Sequence, residues 1–208
     1  FEGDPAEDSD DMADMEVDDD ISSERKLSEA ARHLIMPSGI VTSMFPKVES
    51  QAAKCGISYD RWQQGLGTIM LGRRKDGTFA ASIGGVVMSI CRQTGKTFTV
   101  GSIITMLCIL IPDLTVIWTA HRSKTSDRTF DNLRGLVKNR HVARYLARTT
   151  RSDGVRAGNG QQQISFANGS QVMFGAREHG FGRGIDAADN LIFDEAQTGF
   201  GRTGYWYG

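Results

Sequence analysis

Three apolar runs of strand length, 86–90 (VVMSI), 114–120 (LTVIWTA) and 189–193 (DNLIF), alternate with stretches of helical character. Residues 96–110 are apolar along most of their length. Residues 123–148 place Phe130, Leu133, Leu136, Val137, Tyr145 and Leu146 at helical spacing. Strands that alternate with helices pack as an α/β sheet with parallel neighbours, because each helix carries the chain back to the starting edge. Sites in such sheets gather at the carboxyl ends of the strands. The segment QQISFANGSQVMFGA (162–176) adds a hairpin signal, two alternating runs joined by Asn168-Gly169. The fold expected is therefore α/β, a mainly parallel sheet flanked by helices.

Two of the strand ends carry chemistry. After the first run the chain reads CRQTGKT (91–97). Gly95, Lys96 and Thr97 match the close of the phosphate-binding pattern G-x-x-x-x-G-K-[ST], whose opening position is here Ile90. A glycine lets the loop backbone, from Gln93 through Thr94 to Gly95, approach phosphate oxygens, and the following helix adds its dipole. Lys96 is placed to neutralise β- and γ-phosphates and Thr97 to ligate Mg²⁺. An ordinary helix start with a surface lysine has the same short sequence, so the loop needs a partner. The third run supplies one by ending in Asp194-Glu195. Adjacent carboxylates at the end of a buried strand are costly unless something uses them. Asp194 suits the metal, directly or through water, and Glu195 suits proton abstraction from an attacking water.

Charge is divided unevenly. Of 25 Asp and Glu, 11 fall in residues 1–20, which hold no Lys or Arg. The remaining 14 face all 24 Lys and Arg, so residues 21–208 carry a net charge of +10. The acidic block is too polar to offset the entropy of ordering and reads as a disordered tail over 1–22. The basic remainder suits a polyanionic partner. Cys55, Cys91 and Cys108 are scattered, with no metal-ligand spacing, which points to a reducing compartment rather than a disulfide framework. No apolar signal-peptide core opens the chain. The longest apolar stretch, 100–111, ends at Pro112-Asp113, well short of the roughly 20 residues a membrane span needs. A short amphipathic helix is expected over 23–35, with Leu27, Ala30, Ala31 and Leu34 on one stripe, and another around 59–71. The expected division is a tail 1–22, a helical segment 23–58 and a nucleotide-binding domain 59–208.

Taken together, these segments resemble the ATPase domain of the large terminase subunits of tailed bacteriophages, the motors that package DNA into capsids. The resemblance runs over about 59–197 and rests on YDRWQ (59–63), CRQTGKT, the stretch VIWTAHRSKTSDRTFDNLRGLV (116–137) and SFANGSQVMFGAREHGFGRGIDAADNLIFDEAQ (165–197). It implies a P-loop NTPase fold of RecA/ASCE type, with ATP and Mg²⁺ as cofactors. It also implies that Gln63 reads adenine and that Arg92 stabilises charge on the transferred phosphoryl group. The implied partners are double-stranded DNA, a portal protein, a small terminase subunit and further copies in a ring on the capsid. The implied place is the procapsid portal in the bacterial cytoplasm, with no membrane and no secretion.

Departures from the pattern accompany it. Cys91 stands where the family has a small hydroxyl residue. The family's coupling motif and RNase H-like nuclease domain find no counterpart in 195–208, so the domain is expected to be incomplete at its C-terminus. Residues 194–204, DEAQTGFGRTG, resemble a class III aminotransferase segment whose Asp meets pyridoxal phosphate, but no lysine follows Lys138 to form the Schiff base. A DEAD-like helicase shares the DEAQ-like box, and a non-catalytic nucleotide-binding fragment shares the loop. Both stand as alternative readings.

Overall fold

The computed structural model describes residues 24–82, 84–91, 94–150, 152–158, 162–177, 181 and 189–194. In chain order the elements are α1 (Leu27–Ala30), β1 (Thr42–Ser43), α2 (Phe45–Lys54), α3 (Arg61–Met70) and β2 (Gly72–Arg73). They continue with α4 (Lys96–Leu110), β3 (Thr115–Ala120), α5 (Ser123–Val137), α6 (Arg140–Ala143) and β4 (Val155–Arg156). Last come β5 (Gln162–Ser165), β6 (Gln171–Ala176) and β7 (Asn190–Asp194).

The architecture is mixed α/β. The main sheet has the strand order β4-β5-β6-β3-β7. Strand β3 runs parallel to both β6 and β7, with Ala120 level with Ala176 on one side and Asp194 on the other. Strand β5 is antiparallel to β6 and to β4. Among the described residues parallel and antiparallel pairings are thus equal in number, and the expected predominance of parallel neighbours is not found there. The reason is local: a tight hairpin can join only antiparallel strands, and β5–β6 extends the sheet that way.

That hairpin forms where the sequence places it, but its turn is one residue longer than Asn168-Gly169 alone. Phe166 N donates to Ser170 O at 2.8 Å and Gly169 N to Phe166 O at 3.2 Å, which leaves Ala167, Asn168 and Gly169 as the loop. Gly169 has φ +90°, the left-handed position such a loop requires, and a Cβ there would collide with the Asp113 carboxylate. Asn168 also shares its amide Nδ2 among the carbonyls of Cys108 (2.8 Å), Ile109 (3.3 Å) and Ile111 (3.3 Å), and Ser170 Oγ donates to Ile111 O at 2.7 Å. These are the carbonyls that the end of α4 leaves without partners. The hairpin therefore caps α4 at the amino end of β6, and the start of α4 lies toward the carboxyl ends of the parallel strands.

Helix α4 is apolar on every side and correspondingly buried, from Gly101 through Cys108. Helix α5 is amphipathic: Phe130, Leu133 and Val137 face inward while Asp127, Arg128 and Asp131 are exposed. Helix α2 packs on α4, α4 on α5, and α5 on β6 and β3. In the core Trp118 stacks on Phe174 at 6.3 Å between ring centres, and Phe130 meets Phe174 edge-on at 5.4 Å. Phe45, Val48 and Ala52 of α2 belong to the same core as Ile103, Met106 and Leu107 of α4.

Two expected elements differ. Of the helix expected over 23–35, Leu27–Ala30 forms, while Leu34, Ile35 and Met36 are exposed. A helix so short, with no buried residue, has too little packing to extend. The run 86–90 is not a strand; its residues are irregular, and Val86 and Val87 are exposed. An apolar run that short does not specify a strand without a neighbour to pair with, and none pairs with it among the described residues. No helix among the described residues is long and apolar enough to cross a membrane.

Candidate functional site

The site is built around the first turn of α4. Gly95, its N-cap, has φ +83° and ψ 13°, a left-handed conformation that suits glycine and tips the chain into the helix. The carbonyl of Gly95 accepts from Thr99 N at 2.8 Å and from Thr99 Oγ1 at 2.9 Å. Thr99 Oγ1 in turn accepts from Gln63 Nε2 at 2.8 Å, and Gln63 Oε1 accepts from Asp60 N at 2.9 Å. Gln63 is 5% exposed and Thr99 fully buried. A buried chain of hydrogen bonds thus links the start of α3 to the glycine that opens α4. On the other side of the loop, Thr94 Oγ1 donates to Cys91 O at 2.9 Å. The first amides of a fifteen-residue helix lack partners within it and carry the positive end of its dipole, which makes this turn suited to an anion.

Asp194 stands opposite. The β3–β7 register sets it beside Ala120 at the carboxyl end of the sheet, and Thr129 of α5 donates to its Oδ2 at 3.2 Å. Its Oδ1 lies 3.9 Å from Lys96 Nζ, with side-chain exposures of 9% for Asp194 and 32% for Lys96. A carboxylate has about four acceptor positions. One hydroxyl and one ammonium at the limit of ion-pair range leave capacity for a further cation. Among the described residues no group of three or more His, Cys, Asp or Glu is placed to hold a metal. A divalent ion at Asp194 would complete its shell with phosphate oxygens and waters, the pattern Mg²⁺ favours.

Of the residues the sequence singled out, Lys96 and Asp194 are brought together, and Gln63 is brought to the loop through Thr99. Gln63 holds the loop by its own amide, a role that the sequence did not suggest. Thr97 is half-buried and lines a groove of about 280 Å³ between α4 and α5, together with Phe98, Gly101, Asn132 and Leu133. No hydrogen bond joins Thr97 to Asp194 among the described residues. Arg92, Gln93 and Glu195 lie outside the described residues, as do the acidic segment 1–22 and the aminotransferase-like segment beyond Asp194. Thr99 and Thr129 escaped the sequence reading. Each is one of several buried hydroxyls on its helix, beside Ser102 and Thr105 on α4 and Ser126 on α5, so the residue type alone does not single it out. Arg177, just past β6, donates from Nη1 to Thr119 Oγ1 at 2.8 Å and adds a second cation at this end of the sheet.

Comparison with family models, curated proteins and solved structures gave no match. The functional reading therefore rests on the geometry and on the motifs.

Proposed function

We propose that the chain is an ATP-hydrolysing motor domain of the large-terminase type, a P-loop NTPase that couples hydrolysis to the movement of double-stranded DNA into a viral capsid. The observation that supports this best is the approach of Lys96 to Asp194, 98 positions apart in sequence, at the start of a helix that opens on a left-handed glycine. A phosphate loop and a metal-binding carboxylate must meet in this way for either to act.

The residues fit ATP and Mg²⁺. The amides at the start of α4 would hold phosphate oxygens, and Lys96 would turn from Asp194 to the β- and γ-phosphates. The Thr97 hydroxyl and Asp194 would flank the metal, which supplies charge neutralisation on the phosphates when bound. Glu195, the next residue along, is assigned the proton from the attacking water, and Arg92 the charge that develops on the γ-phosphoryl group. Gln93 and Thr94 contribute loop backbone. In this reading the working form is a ring at the procapsid portal in the host cytoplasm, with a portal protein and a small terminase subunit as partners.

Cys91 gives a direct test. It is exposed, and its carbonyl holds the loop through Thr94. Mg·ATP should slow alkylation of Cys91 in the parent chain and leave the rate unchanged in Lys96→Ala, which should also lack hydrolysis. A parent chain in which Mg·ATP neither protects Cys91 nor is hydrolysed would overturn the proposal.

A further inference from the structure

The far corner of the sheet carries a second concentration of chemistry. Residues 138–156 contain six Lys and Arg against one acid, Asp153. Lys138, Arg140, Arg144, Arg148 and Arg156 are all exposed. None of the five has a carboxylate within ion-pair range among the described residues. Arg140 Nε donates to His141 Nε2 at 3.0 Å, and Arg144 lies over the Tyr145 ring at 5.0 Å. This corner is held rigidly. Gln51 Nε2 donates to Tyr145 Oη at 3.0 Å, Ala147 N to Ser165 O at 2.9 Å, and Leu146 bridges to Phe166. An open polar cleft of about 570 Å³, lined by Arg148, Thr149, Thr150, Ser152, Asp153 and Val155, runs through it. Among the described residues β4 and β7 are the two outer strands of the sheet, so this corner and the Lys96–Asp194 pair lie toward opposite edges.

We propose that this corner is a binding surface for the phosphodiester backbone of a nucleic-acid duplex, contacted by Arg140, Arg144, Arg148 and Arg156 without reading of sequence. Four of the five cations are arginine, whose planar fork matches phosphate. A membrane-docking face would add exposed apolar residues to its cations, and none of the exposed large apolar side chains lies in 138–156. A single-strand site would offer free aromatic rings for stacking. Here the Tyr145 ring is covered by Arg144 and its hydroxyl is bonded to Gln51. The choice of duplex as partner rests on the motor reading above; the surface itself does not depend on the nucleotide site.

The test uses the full chain without nucleotide and a fluorescein-labelled random-sequence DNA duplex, followed by anisotropy across a salt series. Changing Arg140, Arg144, Arg148 and Arg156 together to Gln should lower affinity at least about tenfold at low salt and reduce the log–log salt slope by about 3–4, near 0.9 for each phosphate no longer neutralised. The same four changed to Lys should keep most of the slope, since counterion release follows charge. A control that removes four charges elsewhere, at Lys26, Arg32, Lys47 and Lys75, should change affinity by less than about threefold. Equal losses in control and corner variants, or parental affinity in the corner variant, would overturn the surface. So would binding of phosphatidylserine vesicles as tight as binding of duplex. Lys96→Ala should bind duplex as the parent does. If ATP is neither bound nor hydrolysed while the corner effect persists, the nucleotide reading fails alone. If hydrolysis holds and the corner variant binds normally, the surface fails alone.

Discussion

Gln63 Nε2 donates to Thr99 Oγ1 at 2.8 Å, and Thr99 passes the bond on to the carbonyl of Gly95. The carbonyl direction of Gly95 is thereby fixed from outside its own helix, and with it the amides that follow. Gln63→Ala takes the donor from Thr99 Oγ1, which keeps its bond to the Gly95 carbonyl, and the acceptor from half-buried Asp60 N. Two hydrogen bonds lost amount to about 1–3 kcal/mol. Affinities for ATP and GTP should fall by the same factor, as loop geometry serves both. Titration with each nucleotide checks this. A loss confined to ATP would mean that Gln63 acts on the base, as the family resemblance implies, and that its bond to Thr99 is incidental.

Asp194 and Glu195 should separate binding from chemistry. Asp194→Ala removes the carboxylate that Lys96 and Thr129 approach, and is expected to weaken Mg·nucleotide binding. The ion pair, with one partner a third exposed, contributes at most about 1 kcal/mol to stability, and the buried Thr129 hydroxyl left without its acceptor adds a loss of about 1–3 kcal/mol. Glu195→Gln is expected to keep binding and to slow hydrolysis by about 10²–10⁴-fold, the usual effect of losing a general base. Single-turnover hydrolysis and nucleotide titration of both variants decide it. Parental hydrolysis in Glu195→Gln removes Glu195 from the mechanism.

Two glycines should respond differently to one added methyl group. At Gly95 the nearest atom to an added Cβ is Gln63 Nε2 at 3.6 Å, so the penalty in Gly95→Ala is the left-handed backbone alone, about 1–2 kcal/mol. At Gly169 the same backbone strain is joined by a collision with the Asp113 carboxylate. Gly169→Ala should therefore destabilise more, and a second change, Asp113→Gly, which suits the φ of +57° at that position, should recover the difference but not the strain at 169. Urea denaturation of the three variants gives the order.

Burial pushes the Cys108 thiol up from its ordinary 9.0 to about 12. The folded chain holds its proton through a range in which the unfolded chain has lost it. The contribution of this group is complete below the unfolded pKa and declines as pH rises from 9.0 toward about 12, by at most about 1.4 kcal/mol per pH unit. Stability measured from neutral pH to about pH 10 should fall on the alkaline side, and Cys108→Ala should flatten that limb. In the native chain at mildly alkaline pH, exposed Cys91 should react with iodoacetamide while buried Cys55 and Cys108 remain unmodified.

Much of the fold could be read where periodicity and chemistry agreed. Helix α4 begins at Lys96 and ends at Leu110, the span that the glycine and Pro112 bracket. The hairpin turn falls on Asn168 and Gly169 because few residues other than glycine accept φ +90°. The run 86–90 misled, as Val86 and Val87 satisfy a strand pattern whether or not a neighbour is there to pair with them. Cross-chain hydrogen bonds leave no periodic trace. Nothing in the order of residues announces that Asn168 caps a helix ending near 110, or that Thr129 steadies a carboxylate 65 positions on. Those relationships exist only once the sheet has brought distant segments level.

The closure between Lys96 and Asp194 also sets a schedule for synthesis. A ribosome adding about 5–20 residues per second would need roughly 5–20 s to travel from one residue to the other. Through that interval the newborn loop has a lysine and no carboxylate, and until residues 168–170 emerge the helix behind it has no cap. A nascent chain halted near residue 160 would hold the glycine turn and its positive helix end, yet no counter-charge from β7. On the proposed reading, nucleotide met at that stage would find half a binding site. On that reading, too, the site closes only when β7 follows the hairpin out of the ribosome.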